Sequence, residues 1–239
     1  DDLKIISTIL SSAKKIKRKK ILIKVGDISL FKSLINALDM PERWKLRLIR
    51  HFWRPSYFDE LLKRLEKNTD IDAVTFDADK KKFYEMKKID QDKVVAGRPI
   101  SEILKRFEKK IKDPRDNFRG SHSVKIIKDF LKLKAPLGKS TYKLKNFFEK
   151  NNLKIKDLNK SIIKLKNLLR KFGSKYTISF NAQFGRETQY YTGIAFAVYN
   201  QKKELARGGE YNNLIKTLGG KQTTAFGAAI NLKELKWAK

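Results

Sequence analysis

The stretch FGRETQYYTGIAFAVYN, residues 184–200, holds the side chains of this sequence best suited to bind a small polar ligand. It combines the guanidinium of Arg186 with the neighbouring phenols of Tyr190 and Tyr191 and the hydroxyl of Thr192. These groups offer several hydrogen-bond donors and acceptors but little net charge. Lysines crowd nearly every other segment of the chain, so a stretch without them predicts a ligand site.

Two other segments supply neighbours for this site. The stretch YTISFNAQF, residues 176–184, alternates apolar residues with Thr, Ser, Asn and Gln, which predicts a strand with one neutral polar face. That face is expected to form a wall of the site. The pair Gly208–Gly209 is predicted to bend the chain and to let the backbone approach a ligand closely. We expect Arg186 and Tyr191 to contribute little to the core.

The sequence predicts no catalytic centre, no metal and no cofactor. His51 and His122 have no nucleophile and carboxylate arranged around them in a known local motif. Asp77 and Asp79 resemble the start of a calcium loop, but the third ligand and the following glycine are missing. The chain has no cysteine, which excludes disulfides and cysteine-based zinc sites.

The elements that must position the site change character along the chain. Residues 27–173 carry mostly helical apolar spacing, whereas 20–26 and 175–232 read as strands joined by short connections. The run GIAFAVYN is apolar on both faces, as a central strand should be. We therefore predict an α+β fold in which an antiparallel sheet is flanked by helices. Residues 1–26 and 174–239 would form one domain, with 27–173 as a mostly helical insertion.

The composition bounds the function. The 239 residues carry a formal net charge of +30, and this charge is mainly lysine spread along the whole chain. A compositional origin of the lysines and a polyanion partner both fit this pattern, so a basic RNA-binding module stays open. The cluster KKIKRKKILIK, residues 14–24, is interpreted as a solvated helix end followed by a strand. No apolar run is long enough to span a membrane, and we expect a cytoplasmic protein.

Three motifs in this order resemble a known family. The segments GRETQYYTGIAF, RGGEYNNLI and AFGAAINL are similar to the R-G-x-D-Y-Y-T-G, G-G-G-R-Y-D and G-x-x-x-G-x-x-R motifs of class II histidyl-tRNA synthetases. The similarity is closer to their non-catalytic relative, the regulatory subunit of ATP phosphoribosyltransferase. The segments VGDISLFKSLINALDMPE and VAGRPISEILKRF also resemble the middle region of that relative.

The resemblance implies a class II synthetase-like fold and a histidine pocket. In its register Arg186 takes the place of the catalytic arginine, and Tyr191 and Tyr211 take the places of tyrosines that line the pocket. The histidine-binding residues that it implies are Arg186, Gln189, Tyr190, Tyr191, Thr192, Gly208, Gly209 and Tyr211. The sequence departs from the family where Arg207 replaces the third glycine, Gln189 an aspartate and Glu210 an arginine.

One departure separates an enzyme from a regulator. The last motif's arginine, which holds the ATP phosphates in a synthetase, becomes Glu234. Motifs 1 and 2 are not recognisable, so the sequence is expected to begin just downstream of motif 2, and no anticodon-binding domain is recognisable either. The resemblance therefore implies a non-catalytic subunit.

Such a subunit binds and activates a short-form ATP phosphoribosyltransferase catalytic subunit in the first step of L-histidine biosynthesis. It also takes part in allosteric feedback by L-histidine, and self-association through the missing N-terminal motif is expected. Two alternatives are a fragment of a catalytic histidine–tRNA ligase and the basic RNA-binding module. Specific binding of nucleic acid is not expected of the regulatory subunit.

Overall fold

A computed structural model describes residues 2–13, 21–67, 73–111, 120–155 and 157–236. The helices are α1 Asp2–Ser12, α2 Ile28–Ala37, α3 Glu42–His51, α4 Pro55–Lys67, α5 Ala73–Met86, α6 Ile100–Ile111, α7 Gly120–Leu131, α8 Leu137–Lys150, α9 Leu158–Phe172, α10 Leu214–Thr217 and α11 Leu232–Lys236. The strands are β1 Ile21–Asp27, β2 Val94–Val95, β3 Arg98–Pro99, β4 Lys134–Pro136, β5 Thr177–Asn181, β6 Ile194–Asn200, β7 Lys203–Glu210 and β8 Phe226–Ile230.

The described chain divides into two units. One comprises Asp1–Leu38, Phe52–Arg54 and Ile126–Lys239 and holds a six-stranded sheet, in the order β4-β5-β1-β6-β7-β8. The other comprises Asp39–His51 and Pro55–Lys125 and holds α3 to α6 with the β2–β3 hairpin. The predicted insertion, 27–173, overlaps both units, and its status as a separate insertion stays a prediction.

The predicted α+β organisation and the strands of the C-terminal third are confirmed. Strand β6 is central and its first five residues are buried, as the apolar run predicts. Most neighbouring strands are antiparallel, but β5 pairs with β1 in parallel, a direction that the long connection between them allows. A strand not predicted, β4, extends the sheet beyond β5.

The sheet has one apolar face and one mixed face. Ile23, Val25, Phe196 and Val198 alternate onto the apolar face and are completely buried. Helix α9 lies on this side, since its Lys164 forms an ion pair with Glu210 of β7. The mixed face carries Gly and Ala residues together with charged side chains, and the predicted site lies there.

Strand β1 passes directly into helix α2 through a buried carboxylate. Asp27 is 2% exposed and accepts hydrogen bonds from the backbone N–H and the hydroxyl of Ser29, at 2.9 and 2.6 Å. This N-cap begins the helix, and Ile28 N donates to Gly193 O at 3.0 Å, so the helix start is tied to the residue before β6. Burial raises the pKa of the Asp27 carboxyl.

Several sequence interpretations concern residues outside the site. Asp77 and Asp79 lie within helix α5, a geometry that differs from a calcium loop. Among the described residues, no group of three or more His, Cys, Asp or Glu side chains is placed to hold a metal ion. None of the helices in the described ranges is long and apolar enough to cross a membrane. Of the lysine-rich cluster, residues 14–20 lie outside the described residues, and 21–24 belong to β1.

Candidate functional site

The mixed face of the sheet contains a row of residues without large side chains. Gly26 of β1 lies opposite Ala195 of β6, Ala195 lies opposite Gly209 of β7, and Gly209 lies opposite Gly227 of β8. Directly opposed residues share one face of a sheet, so these four form a continuous floor across four strands. A floor of this kind leaves room for other groups to lie flat on the sheet.

Aromatic rings occupy part of this room. A Cβ on Gly209 would lie 3.2 Å from Cδ1 of Tyr191, and a Cβ on Gly227 would meet the Tyr211 phenol, with its Cε1 at 3.2 Å. The rings of Tyr191 and Tyr211 therefore rest on glycine backbone. The predicted bend at Gly208–Gly209 is wrong, because both residues continue strand β7. Their lack of side chains serves close packing instead of a turn.

Three tyrosines meet above this floor. The ring centroids of Tyr190 and Tyr191 are 5.2 Å apart at an interplanar angle of 74°, and those of Tyr190 and Tyr211 are 6.0 Å apart at 89°. Both are edge-to-face arrangements, which aromatic pairs favour. Tyr191 is 6% exposed and Tyr190 is 48% exposed. The structure thus brings together the tyrosines that the two sequence motifs contribute, and we call these three residues the tyrosine cluster.

Backbone hydrogen bonds join the two motifs beneath the tyrosine cluster. Thr192 N donates to Glu210 O at 2.8 Å, and Asn212 N donates to the Thr192 hydroxyl oxygen at 3.1 Å. The Thr192 hydroxyl also donates to Glu210 O at 3.3 Å. Thr192 therefore fixes the crossing of the chain segments that carry Tyr191 and Tyr211.

Arg186 lies in the interior of its unit. It is 4% exposed, its Nε donates to Phe52 O at 3.0 Å, and its Nη1 donates to Gln183 Oε1 at 3.1 Å. Its guanidinium carbon also lies 4.7 Å from the centroid of the Phe52 ring. The expectation that Arg186 and Tyr191 contribute little to the core is therefore wrong, since both are buried. A direct contact of Arg186 with a ligand stays a prediction.

The predicted polar wall is placed differently from the expectation. Strand β5 pairs with β1 and β4, so two strands separate it from β7, on which Tyr191 rests. Asn181 Oδ1 accepts from Gln183 N at 3.0 Å, and Gln183 Nε2 donates to Leu131 O at 2.8 Å. These polar groups stabilise the loop after β5 and join it to the end of helix α7. Gln189 is exposed at the rim of the tyrosine cluster's loop.

Sequence reasoning missed a charged network on the same face. Arg207 donates to both carboxylate oxygens of Glu204, from Nε at 3.0 Å and from Nη2 at 2.8 Å. The Tyr199 hydroxyl donates to the same carboxylate at 2.8 Å, and Lys24 Nζ lies 4.7 Å from the centroid of the Tyr199 ring. The alternation in KELARGG was the available signal, because it places Arg207 and Gly209 on one face.

The electrostatics of this face follow from burial and pairing. Burial raises the pKa of the Tyr191 phenol to about 12, so this group is neutral and can donate a hydrogen bond at physiological pH. The Arg207 guanidinium, through its hydrogen bonds, lowers the pKa of the Glu204 carboxyl. The face therefore presents neutral phenols next to a paired guanidinium and carboxylate.

The raised pKa of Tyr191 predicts an alkaline loss of stability. An unfolded tyrosine ionises near its ordinary pKa of 10, whereas the folded phenol stays protonated to about 12, so stability falls as the pH rises through this window. Between about pH 8 and pH 11, the free energy of unfolding should fall by about 1.4 kcal/mol more in the wild type than in Tyr191→Phe. Urea unfolding at both pH values measures this; equal losses in the two proteins would contradict it.

The apolar face carries two adjoining hollows that share Lys164 and Phe226. The larger measures about 500 Å³ and includes Lys160, Asn212 and Thr224 in its lining. The smaller, about 210 Å³, is mainly apolar, with Leu3, Ile6 and Leu168 among its lining residues. Both hollows lie on the face of the sheet opposite the tyrosine cluster, and the ion pair of Lys164 with Glu210 lies in the lining of the larger one.

Glu234, at the position where the resemblance expects an arginine, lies in helix α11. Its Oε2 is 2.9 Å from Lys203 Nζ, and its carboxylate is about a quarter exposed. Asn231 Oδ1 accepts a hydrogen bond from Glu234 N at 3.2 Å, so a side chain caps this helix. The ion pair joins α11 to the start of β7.

Comparisons with known proteins show which family the chain belongs to. A family model described as histidyl-tRNA synthetase matches residues 1–235. ATP phosphoribosyltransferase regulatory subunits of Allorhizobium ampelinum and Agrobacterium fabrum are 26% and 28% identical to the chain over 230 and 234 residues. These alignments cover 90% and 91% of the chain but 62% of each relative, so the chain spans less than two thirds of their length.

Solved structures share the fold. An ATP phosphoribosyltransferase regulatory subunit/histidyl-tRNA synthetase from Bacillus halodurans matches with a TM-score of 0.57 at 13% identity, over 98% of this chain and 48% of that one. The histidyl-tRNA synthetase of Nostoc sp. PCC 7120 matches with a TM-score of 0.52 at 15% identity, over 98% and 46%. Both likenesses confirm the predicted class II synthetase-like fold.

Proposed function

Since the chain belongs to the histidyl-tRNA synthetase family, we propose that this protein is a non-catalytic regulatory subunit of ATP phosphoribosyltransferase. It acts in the first step of L-histidine biosynthesis, in which the catalytic partner joins ATP to phosphoribosyl pyrophosphate. In this role it binds and activates a short-form catalytic subunit and responds to L-histidine. The names of the relatives in Allorhizobium and Agrobacterium support this proposal.

The ion pair of Glu234 with Lys203 is the observation that carries the non-catalytic part. A synthetase that activates its amino acid must hold a triphosphate, and the resemblance expects an arginine for this at position 234. A carboxylate there repels phosphate, and a like-charge contact in a desolvated site costs several kcal/mol. Lys203 pairs with the Glu234 carboxylate at this position in helix α11. This supports the regulatory role over that of a ligase fragment.

The tyrosine cluster supports L-histidine as the effector. Its buried phenol at Tyr191 is neutral and can hydrogen-bond an imidazole, while Tyr190 and Tyr211 present ring edges and faces around it. Gly209 keeps the floor low, whereas Gly208 faces the other side of the sheet, and Thr192 holds the two motifs together. In this proposal Gln189 lies at the rim and buried Arg186 holds the loop that carries the tyrosines.

The test uses the full chain together with a short-form ATP phosphoribosyltransferase. We expect the two proteins to co-purify, the complex to be more active than the catalytic subunit alone, and L-histidine to inhibit it. The protein alone should show no histidine-dependent exchange of pyrophosphate into ATP. Exchange activity would favour the ligase alternative, and failure to associate or to activate would contradict the regulatory role.

The Tyr191 phenol is expected to contribute directly to histidine affinity. Tyr191→Phe removes one hydrogen bond from a buried site, worth about 1–2 kcal/mol, so the affinity should fall roughly 5- to 30-fold. Tyr190→Phe is the matched control, because its neighbouring phenol is half exposed and should change the affinity less than about 2-fold. Calorimetric titration with L-histidine measures both. Wild-type affinity in Tyr191→Phe would mean that the effector binds elsewhere.

A further inference from the structure

Arg207 lies beside the tyrosine cluster on the mixed face of the sheet. It precedes Gly209 by two residues on strand β7 and therefore points to the same face, about 7 Å along the strand. The Tyr191 ring rests on Gly209. A ligand whose one end touches the Tyr191 phenol can therefore reach the Arg207 guanidinium with its other end.

The guanidinium keeps donors available after its pairing with Glu204. An arginine side chain carries five N–H groups, and the contacts with Glu204 use one on Nε and one on Nη2. The two N–H groups on Nη1 and the second on Nη2 form a separate edge of the fork. That edge has the spacing that suits a second carboxylate. The Arg207 side chain is one third exposed, so a ligand can approach it.

A loosely held carboxylate stands at this edge. Glu187 Oε2 is 3.9 Å from Arg207 Nη1, which is longer than a hydrogen bond, and the Glu187 side chain is 60% exposed. By contrast, the Glu204 contacts are short and bidentate. Glu187 therefore behaves as an exchangeable counter-ion, whereas Glu204 fixes the orientation of the guanidinium.

We propose that Arg207 forms a carboxylate subsite that binds the α-carboxylate of an amino acid lying in the tyrosine cluster, and that this carboxylate displaces Glu187. The proposal rests on the proposed function, in which L-histidine is the effector, and it assigns the charged end of that ligand. Arg186 is less suited to this contact, because it is buried and its Nε and Nη1 already donate to Phe52 and Gln183.

The surrounding charges agree with a ligand that is a zwitterion. Lys24 and Arg207 lie on either side of Ala197 in the same row across the sheet, and Glu204 and Glu187 balance them. An incoming carboxylate that replaces Glu187 beside Arg207 keeps this balance. A ligand with two or more negative charges would upset the balance, so the subsite selects an amino acid over a phosphate.

The experiment compares L-histidine with L-histidinol, in which a hydroxymethyl group replaces the carboxylate. Arg207→Gln should lower the affinity for L-histidine roughly 10- to 100-fold, as expected for losing a charge-assisted pair, and should leave the affinity for L-histidinol within about 3-fold. Glu187→Gln should raise the affinity for L-histidine about 2- to 5-fold by removing the competing carboxylate. Calorimetry with the full chain measures each value.

Two controls separate binding from folding. Arg106→Gln removes another ion-paired arginine, bonded to Glu102 at 2.8 Å on helix α6, and should leave both affinities unchanged. Glu204→Gln keeps Arg207 but loosens its orientation, and should weaken L-histidine more than L-histidinol. Equal losses for both ligands in Arg207→Gln, or no loss, would overturn the subsite alone. A wild-type protein that binds neither ligand would overturn the effector part of the proposed function, and the subsite with it.

Discussion

Replacing Gly209 with valine is expected to destabilise the protein by about 3 kcal/mol or more. A Cβ at this position would lie 2.7 Å from Ile194 O and 3.1 Å from Ala195 Cα, both of which belong to the backbone of the neighbouring strand. These atoms cannot move aside without breaking the β6–β7 ladder. The larger side chain would also displace the Tyr191 ring, which is 3.2 Å from the same Cβ position.

Thermal and urea unfolding measure the loss of stability in Gly209→Val. Titration of the remaining folded protein with L-histidine measures how much affinity is lost when the Tyr191 ring is displaced. Gly138→Ala is the matched control, because a Cβ there meets only Leu169 Cδ2 at an ordinary 3.9 Å. This change lies in helix α8, where alanine is a better helix former than glycine, so stability should stay the same or rise slightly. A Gly209→Val protein as stable as Gly138→Ala would contradict the packing described for the floor.

The strands of the C-terminal third could be predicted because their patterns are local. The run 194–198 is apolar on both faces, and only a central strand buries such a run. The parallel pairing of β5 with β1 could not be predicted in this way. Its partners are separated by more than 150 residues, and the period of a strand carries no information about its direction relative to such a partner.

The site was partly predictable for a different reason. Tyr190, Tyr191 and Tyr211 come together because two motifs of the family contribute them, and the resemblance carries this information even though no local pattern does. The pair Gly208–Gly209 predicts a turn because Gly–Gly is common in turns. In the structure Gly209 makes room for the ring of Tyr191, which comes from another segment of the chain. A contact between distant segments leaves no pattern in the local sequence.

The burial of Arg186 and the network of Arg207 show the same limit. Arginine is rarely buried, so the sequence predicts that the Arg186 side chain is exposed or binds a ligand. What buries Arg186 is the carbonyl of Phe52, a residue 134 positions earlier in the chain. Arg207 departs from the family's glycine, but its role depends on Glu204, which a β-bulge between Val198 and Tyr199 brings opposite Tyr199.

Arg186→Ala is therefore expected to lower the free energy of unfolding by about 2–4 kcal/mol. The change leaves the buried oxygen of Phe52 and the half-buried oxygen of Gln183 without the donors they have now, at 3.0 and 3.1 Å. It also empties the space against the Phe52 ring, on which the guanidinium is stacked. The loop that carries Tyr190 and Tyr191 loses its support, so affinity for L-histidine should fall together with stability.

Arg54→Ala is the matched control for this prediction. Arg54 also stacks on a neighbouring ring, with its guanidinium carbon 4.4 Å from the centroid of Trp53, but it is exposed. Its removal should change stability by less than about 0.5 kcal/mol. Denaturant unfolding compares the two variants, and Arg186→Lys tests the fork, since a single ammonium cannot reproduce two divergent hydrogen bonds. If Arg186→Ala loses histidine affinity but no stability, Arg186 contacts the ligand directly and its buried hydrogen bonds contribute little to the fold.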